Sequence, residues 1–562
     1  MRNTPNLRVE QNRQMTFSPQ LELDPALSPD GKSLAYVVRD GSGTDIHVRA
    51  LDGGEETNLT KDLMTVDHRW PQWSPDGTQV AFLASPAAGP SSVPESTQHI
   101  LYLVKFPGGT PRIITNASMR GFDWSPDGTR LVFIRDREIC VSSSDGANAG
   151  SIAKVFDPSM PSWSPDGKWI AYVSGNLGLF APHLIGNLAP SSIAVVSVGG
   201  GESHPLTDSK KTNTSPVWLP DSKSLLFVST SGGGRDVFQR NISESGEGIG
   251  EPSRITTGLN ALSIDLSSDG RQMAYVLFQS RANLWSLPIP PRGPISPAGA
   301  QRITSENQVI EAVSVTPDGK WIAFDSNRSG NQDIYRMARN GTAQQLTTDP
   351  HDDFGAAWSP DGESIAFFSY RNGNRDIYVM AADGSNVQQV TSEKAEDRYP
   401  HWSPDGESLT FFSDKTGHQE VYIVSREGGR WGQVRQLTRS EGGQFPRWSP
   451  DGQSIAYVDV VQGISVISPN GEGLRRLVPK KPLDPRFVAW SPDGKTIYFK
   501  AGTNSAGLWS VPLNGGSPTQ LVQFNDTMNF ARAEFDTDGK EFFFTMAERE
   551  SDVWMLQLRS KR

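Results

Sequence analysis

Three observations predict an all-β chain made of two tandem six-bladed β-propellers with four-stranded antiparallel blades. A turn tetrad recurs twelve times, short alternating strands fill each interval, and a proline-rich break follows the sixth copy. Ser-Pro-Asp-Gly itself begins at Ser28, Ser74, Ser125, Ser164, Ser359, Ser403, Ser449 and Ser491. Relatives of it begin at Leu219, Ser267, Thr316 and Asp536. Neighbouring copies lie 39 to 55 residues apart, a propeller-blade spacing.

The tetrad is a hairpin turn. Proline presets φ at the second position, Ser and Asp bond back to the backbone, and Gly tolerates a left-handed exit. A short strand ending in Trp precedes it, as at Pro71-Gln72-Trp73. An alternating strand follows, as at Ser364-Ile365-Ala366-Phe367-Phe368. After a polar loop (Tyr370-Arg371-Asn372-Gly373-Asn374) comes a third strand, Asp376-Ile377-Tyr378-Val379-Met380, and then an outer strand, Gln388-Gln389-Val390-Thr391. Four such strands make one blade.

The division into two rings rests on the tryptophan. It precedes the tetrad in eight copies and is replaced by Leu27, Leu266, Val315 and Phe535 in copies one, six, seven and twelve. The exceptions sit at both ends of two hexads. The opening segment Arg13-Gln14-Met15-Thr16 reads as the outer strand missing after copy twelve. The expected domains are therefore residues 1–290, a Pro-rich linker at 291–300, and residues 301–562. A single twelve-bladed ring is the alternative; seven blades plus five fits the break less well.

Composition bounds the function. Hydrophobic residues make up 36% and charged residues 21%, as in ordinary globular chains. The net charge of -10 disfavours nucleic acid as a partner. A single cysteine, Cys140, excludes an intrachain disulfide and any multi-thiolate metal site. No run of about 18 apolar residues occurs, so membrane insertion is not expected. The start, MRNTPNLRVEQNRQMTF, lacks the apolar core of a secretory signal. The chain as written reads as cytoplasmic, or as periplasmic if it was trimmed from a longer one.

The pattern from Asp352 to Thr391 (D-x-x-x-x-W-S-P-D-G-x-x-I-A-F-x-S, N-x-D-I-Y-V-M-x-x-D-G, Q-Q-V-T) resembles the TolB-like propeller repeat of bacterial proteins. The likeness runs from about residue 13 to 558. It implies partner proteins bound around a propeller mouth. TolB-like proteins carry an α/β domain before the ring, and none precedes it in this sequence. The doubled ring is also similar to the sensor propellers of bacterial regulators. Tricorn-type and prolyl-oligopeptidase-type peptidases carry propellers as well, but their catalytic domains have no counterpart here.

No catalytic motif emerges. G-x-S-x-G, H-E-x-x-H, C-x-x-C and the Walker loop are absent. Asp353-Phe354-Gly355 lacks every other kinase element, and Asp536 to Glu541 is the twelfth turn rather than a calcium loop. The eight histidines occupy unequal positions in their blades, so they form no ring of metal ligands. Asp333, Asp376 and Glu420, each five residues after Arg328, Arg371 and Lys415, read as repeated hairpin ion pairs or loop hydrogen bonds.

Binding is expected at the propeller mouths, where loops differ between blades. The first ring offers Asp67, His68, Arg69, Trp70 and Arg120. The second offers His351, Asp352, Asp353, Glu396, Asp397, Arg398, Tyr399, Arg447, Arg486 and Arg532, a mix of charges and aromatics suited to a protein or peptide. Insertions at 84–97 and 174–192 read either as caps on the first ring or partner contacts, or as mobile loops. The reading is a non-enzymatic scaffold without cofactor or metal. A carbohydrate-active enzyme or lectin with a channel-mouth metal, and a sensor fragment of a regulator, are the alternatives.

Overall fold

The structure is a computed structural model that describes residues 7–39, 43–63, 65–86, 99–115, 119–175, 190–440, 442–501, 506–524 and 530–560. Both insertions expected to cap the first ring lie largely outside these residues. Among the described residues the one helix is the short turn Pro297–Gly299, and no helix is long and apolar enough to cross a membrane. The other described residues form strands, turns and connecting loops.

The strands form propeller blades. Leu21–Leu27, Ser33–Arg39, Thr44–Ala50 and Thr57–Asn58 pair in that order as the first blade, and nine more sheets repeat the pattern. The tetrad behaves as its chemistry requires. Ser28 donates from its hydroxyl to Asp30 at 2.6 Å, and the Gly31 N–H returns to the Ser28 carbonyl at 2.8 Å. Gly31 has φ of +66°, which a side chain would strain.

Blades pack face to face through the tryptophan. Trp73 donates its indole N–H to the Ala26 carbonyl on the preceding inner strand at 3.1 Å, and Trp402 does the same to Ala357 at 3.1 Å. Within a blade the third strand is tied to the outer one. Thr391 and Thr347 donate hydroxyls to Asp376 and Asp333 at 3.4 and 3.2 Å, and Thr438 donates to Glu420 at 2.5 Å. The hairpin acids thus make loop hydrogen bonds. The basic residues pair elsewhere: Arg328 with Glu306, Arg371 with Asp353, and Lys415 with Glu393.

Two compact units arise. One comprises Met1–Gln279 with Arg549–Arg562, the other Ser280–Glu548. Each closes after six blades. In the first, the Asp265 carboxylate of blade six accepts the Leu27 N–H of blade one at 2.6 Å. In the second, Asp536 accepts the Val315 N–H at 2.8 Å, joining last blade to first. These bonds give two six-bladed rings rather than one of twelve blades.

The units differ at two strands from the contiguous division 1–290 and 301–562. Gln272–Pro288 runs unbroken for 17 residues, and Glu541–Ser560 for 20. Residues 273–277 pair with Ala261–Leu266 in the first ring, while Trp285 and Ser286 pair with Gln301–Arg302 in the second. Residues 542–546 pair with Phe530–Thr537 in the second ring, while 554–560 pair with Leu7–Gln14 in the first. The third strands of copies six and twelve have exchanged rings. The physical reason is local. Phe278-Gln279-Ser280-Arg281-Ala282 and Ala547-Glu548-Arg549-Glu550-Ser551 contain no Gly, Pro or Asn, so no hairpin turns there.

Candidate functional site

The inner strands carry a repeated kink that the turn motif did not announce. Three residues before the blade tryptophan, or its replacement, the backbone is left-handed: Asp24, Trp70, Met160, Ser215, Tyr399 and Phe445 have φ between 47° and 52°. The pairing register slips at each of these positions. Proline follows every one (Pro25, Pro71, Pro161, Pro216, Pro400, Pro446), and it brings no N–H that the interrupted ladder would leave unpaired. Such a bulge re-aims the side chain it carries.

In the first ring these kinks surround a cavity of about 260 Å³. All six blades line it, through Asp24, Trp70, Asp123, Met160, Ser215 and Asp265 among others. A smaller cavity of about 30 Å³ shares Asp24, Met160 and Ser263 with it and reaches Arg39, His68 and Arg69. The channel is therefore acidic and aromatic along its length, with basic groups at the second cavity.

Its acids are held by backbone. Asp123 accepts the Trp124 N–H at 2.8 Å and the Trp163 N–H at 2.7 Å. Burial pushes the Asp123 carboxyl up to about 7 and Asp265 to about 6. Burial also raises Asp24, against the pull of the Arg69 charge. Asp67 goes the other way: burial opposes ionisation, but hydrogen bonding to His99 and the charge of Arg69 outweigh it and hold Asp67 at about 2.

A pH dependence follows. Unfolded, Asp123 and Asp265 titrate near 3.8, so between that pH and 7 the folded ring holds protons that the unfolded chain has released. Their contribution to stability is complete below the unfolded value and is lost as pH rises through 6 to 7. Asp123→Asn removes one of these two terms. Denaturant unfolding of both proteins at several pH values will show a shallower fall in stability for the variant.

In the second ring, aromatics meet across the inner strands of successive blades. Tyr399 lies 4.8 Å from Phe445, Phe445 lies 5.2 Å from Phe487, and Phe487 lies 5.6 Å from Phe535, centroid to centroid. Phe368 adds to this file at 5.1 Å from Tyr399, and Gly355 makes room for it, since a Cβ there would sit 2.6 Å from the Phe368 ring.

The residues expected at the mouths are placed unevenly. Trp70 lines the first cavity. His68 is buried with Nδ1 on the Thr44 carbonyl, Arg69 is bound to Asp67 at 3.0 Å, and Arg120 is exposed. In the second ring, exposed His351 contacts Asp349 at 2.8 Å, and Asp352 accepts the Gln332 N–H at 2.9 Å. Asp353 is buried against Arg371, with both carboxylate oxygens within 2.9 Å. Glu396 accepts from Arg375 at 2.8 Å and from Arg398 at 3.4 Å. Asp397 is buried, which raises it to about 6. Tyr399 belongs to the aromatic file, Arg447 lies 4.7 Å over the Phe487 ring, and Arg486 pairs with Asp484 at 2.6 Å. The side chain of Arg532 lies outside the described residues. The second mouth thus brings Glu396 and Arg398 together, while most of its other charges are taken up locally. The sequence reading missed Asp24, Asp123, Met160, Ser263 and Asp265; the residue before proline and the residue before tryptophan were the available signals.

Comparison with known proteins agrees with this architecture. Residues 345–468 match the PD40 family, described as TolB beta propeller domain. This segment is TolB-like in its propeller repeat. The uncharacterized peptidase YuxL of Bacillus subtilis is 31% identical over 28% of this chain and 28% of its own length. The Tol-Pal system protein TolB of Bordetella pertussis is 29% identical over 20% of this chain and 35% of its own. The chain therefore spans about a third or less of these relatives. Among solved structures, a putative TolB from Agrobacterium tumefaciens aligns with 48% of the chain and 99% of its own, at 21% identity and a TM-score of 0.40. Among the described residues, no group of three His, Cys, Asp or Glu side chains is placed to hold a metal ion.

Proposed function

We propose that this TolB-like chain is a non-enzymatic binding protein whose first-ring channel takes a segment of a protein or peptide partner. The observation that carries this reading is the cavity of about 260 Å³ to which all six blades of that ring contribute. A central concave site with aromatic walls and a few placed polar groups is the usual form of a recognition pocket. Trp70 is its natural anchor, since buried aromatics dominate the binding energy of such sites. The mixed-charge mouth of the second ring supports the reading less, because its charges are engaged with one another.

Panning a random peptide display library against the whole protein tests this. Selected peptides will lose about tenfold or more in affinity on Trp70→Ala, roughly 1.4 kcal/mol, and will bind Arg398→Ala and Arg486→Ala unchanged. Thermal melts of each variant confirm that it is folded. The reverse ranking of variants, or cleavage of the peptides, contradicts the proposal.

A further inference from the structure

The first ring's cavity holds carboxylates without matching cations. Among the described residues, Asp123 and Asp265 have no ion-pair partner; burial and backbone N–H groups account for their state. Arg69, the basic residue that bears on Asp24, is itself bound to Asp67 at 3.0 Å. A carboxylate withdrawn from water is costly unless a cation accompanies it. A cation entering this cavity would offset that cost.

A second observation is independent of the acids. Ser263 lines both cavities and is 7% exposed, yet its hydroxyl has no hydrogen-bond partner. The wall thus carries a buried hydroxyl oxygen that a donating ligand would satisfy. Trp70 and Trp218 also line the space, and aromatic faces attract cations.

We propose that this channel binds a primary ammonium group, presented by the partner segment as a lysine side chain or a free chain start. The inference rests on the reading that the channel takes such a segment. Ammonium suits the site better than guanidinium. A guanidinium fork needs one carboxylate with both oxygens open, and both oxygens of Asp123 already accept backbone N–H groups. An ammonium makes single bonds in several directions, toward carboxylates on different blades and toward the Ser263 hydroxyl.

The test is calorimetric titration of the whole protein with 1,4-diaminobutane and n-butylammonium. Ethylguanidinium and Ca²⁺ serve as comparisons. The expected result is saturable ammonium binding that weakens about tenfold or more in Asp123→Asn/Asp265→Asn. It is accompanied by proton release, read from the dependence of the binding enthalpy on the buffer. Ser263→Ala, a milder change, will weaken binding in the same direction should the double variant fail to fold. Nα-acetylation of a selected peptide then separates a chain start from a lysine. No saturation at about 10 mM, which is weaker than roughly 3 kcal/mol of binding, overturns the proposal. So does undiminished binding by the folded variants, or tighter binding of ethylguanidinium or Ca²⁺. A selected peptide that still needs Trp70 when no ammonium binds overturns this inference alone and leaves the partner-binding reading standing.

Discussion

Expressed alone, residues 280–548 will fold as a complete ring with a cooperative melt, and residues 301–562 will not. The difference is the strand exchange. The shorter start removes 280–288, the strand that brings Leu284 and Leu287 into the second ring. Leu284 is fully buried and packs with Ile310, Val313 and Phe543; Leu287 packs with Phe487, Phe535 and Phe542. Truncating one buried leucine costs about 2–5 kcal/mol, so losing both with their strand removes a large part of the roughly 5–15 kcal/mol that holds a domain together. The same fragment keeps 549–560, a strand whose pairing partner Leu7–Gln14 is then missing. Circular dichroism melts of the two fragments decide the matter. A cooperative melt for 301–562 together with an unfolded 280–548 would restore the contiguous division.

The second large effect is expected at Phe487. Its ring is fully buried, lies between Phe445 and Phe535, and carries Arg447 at 4.7 Å on its face. Phe487→Ala will destabilise the protein by about 3–5 kcal/mol, because neighbours on different blades cannot close the gap together. It will also leave the Arg447 charge without its aromatic partner. In urea the transition assigned to the second ring will move to lower concentration with little change in slope, and the first ring's transition will stay in place. An unchanged midpoint would mean that the aromatic file contributes nothing to the ring.

The parts of the fold that were legible in the sequence were those written as turns. All eight Ser-Pro-Asp-Gly tetrads form the Ser-to-Asp bond their residue types suggest, and the hexad reading had physical content. Leu27 and Val315, two of the four tryptophan replacements, are the residues whose N–H groups donate to Asp265 and Asp536 at ring closure. What was not legible was written as the absence of a turn. Nothing in Phe278 to Ala282 breaks a strand, and a repeat-based alignment supplies a hairpin there regardless. The site was harder to read for a different reason. Charges are visible in a sequence, but their partners are not: Arg371 stands five residues before Asp376 and binds Asp353. The channel's own residues are single aspartates and serines on inner strands, distinguished only by their offset from proline and tryptophan.

The first ring's channel is proposed as the binding surface. Hydrogen–deuterium exchange of the whole protein, with and without a display-selected peptide, tests it most directly. Protection is predicted along the inner strands Thr65–Trp73, Pro158–Trp163 and Ala261–Leu266, which carry Trp70, Met160 and Ser263. Protection confined to Asp397–Trp402 and Gly443–Trp448, in the second ring, would contradict it.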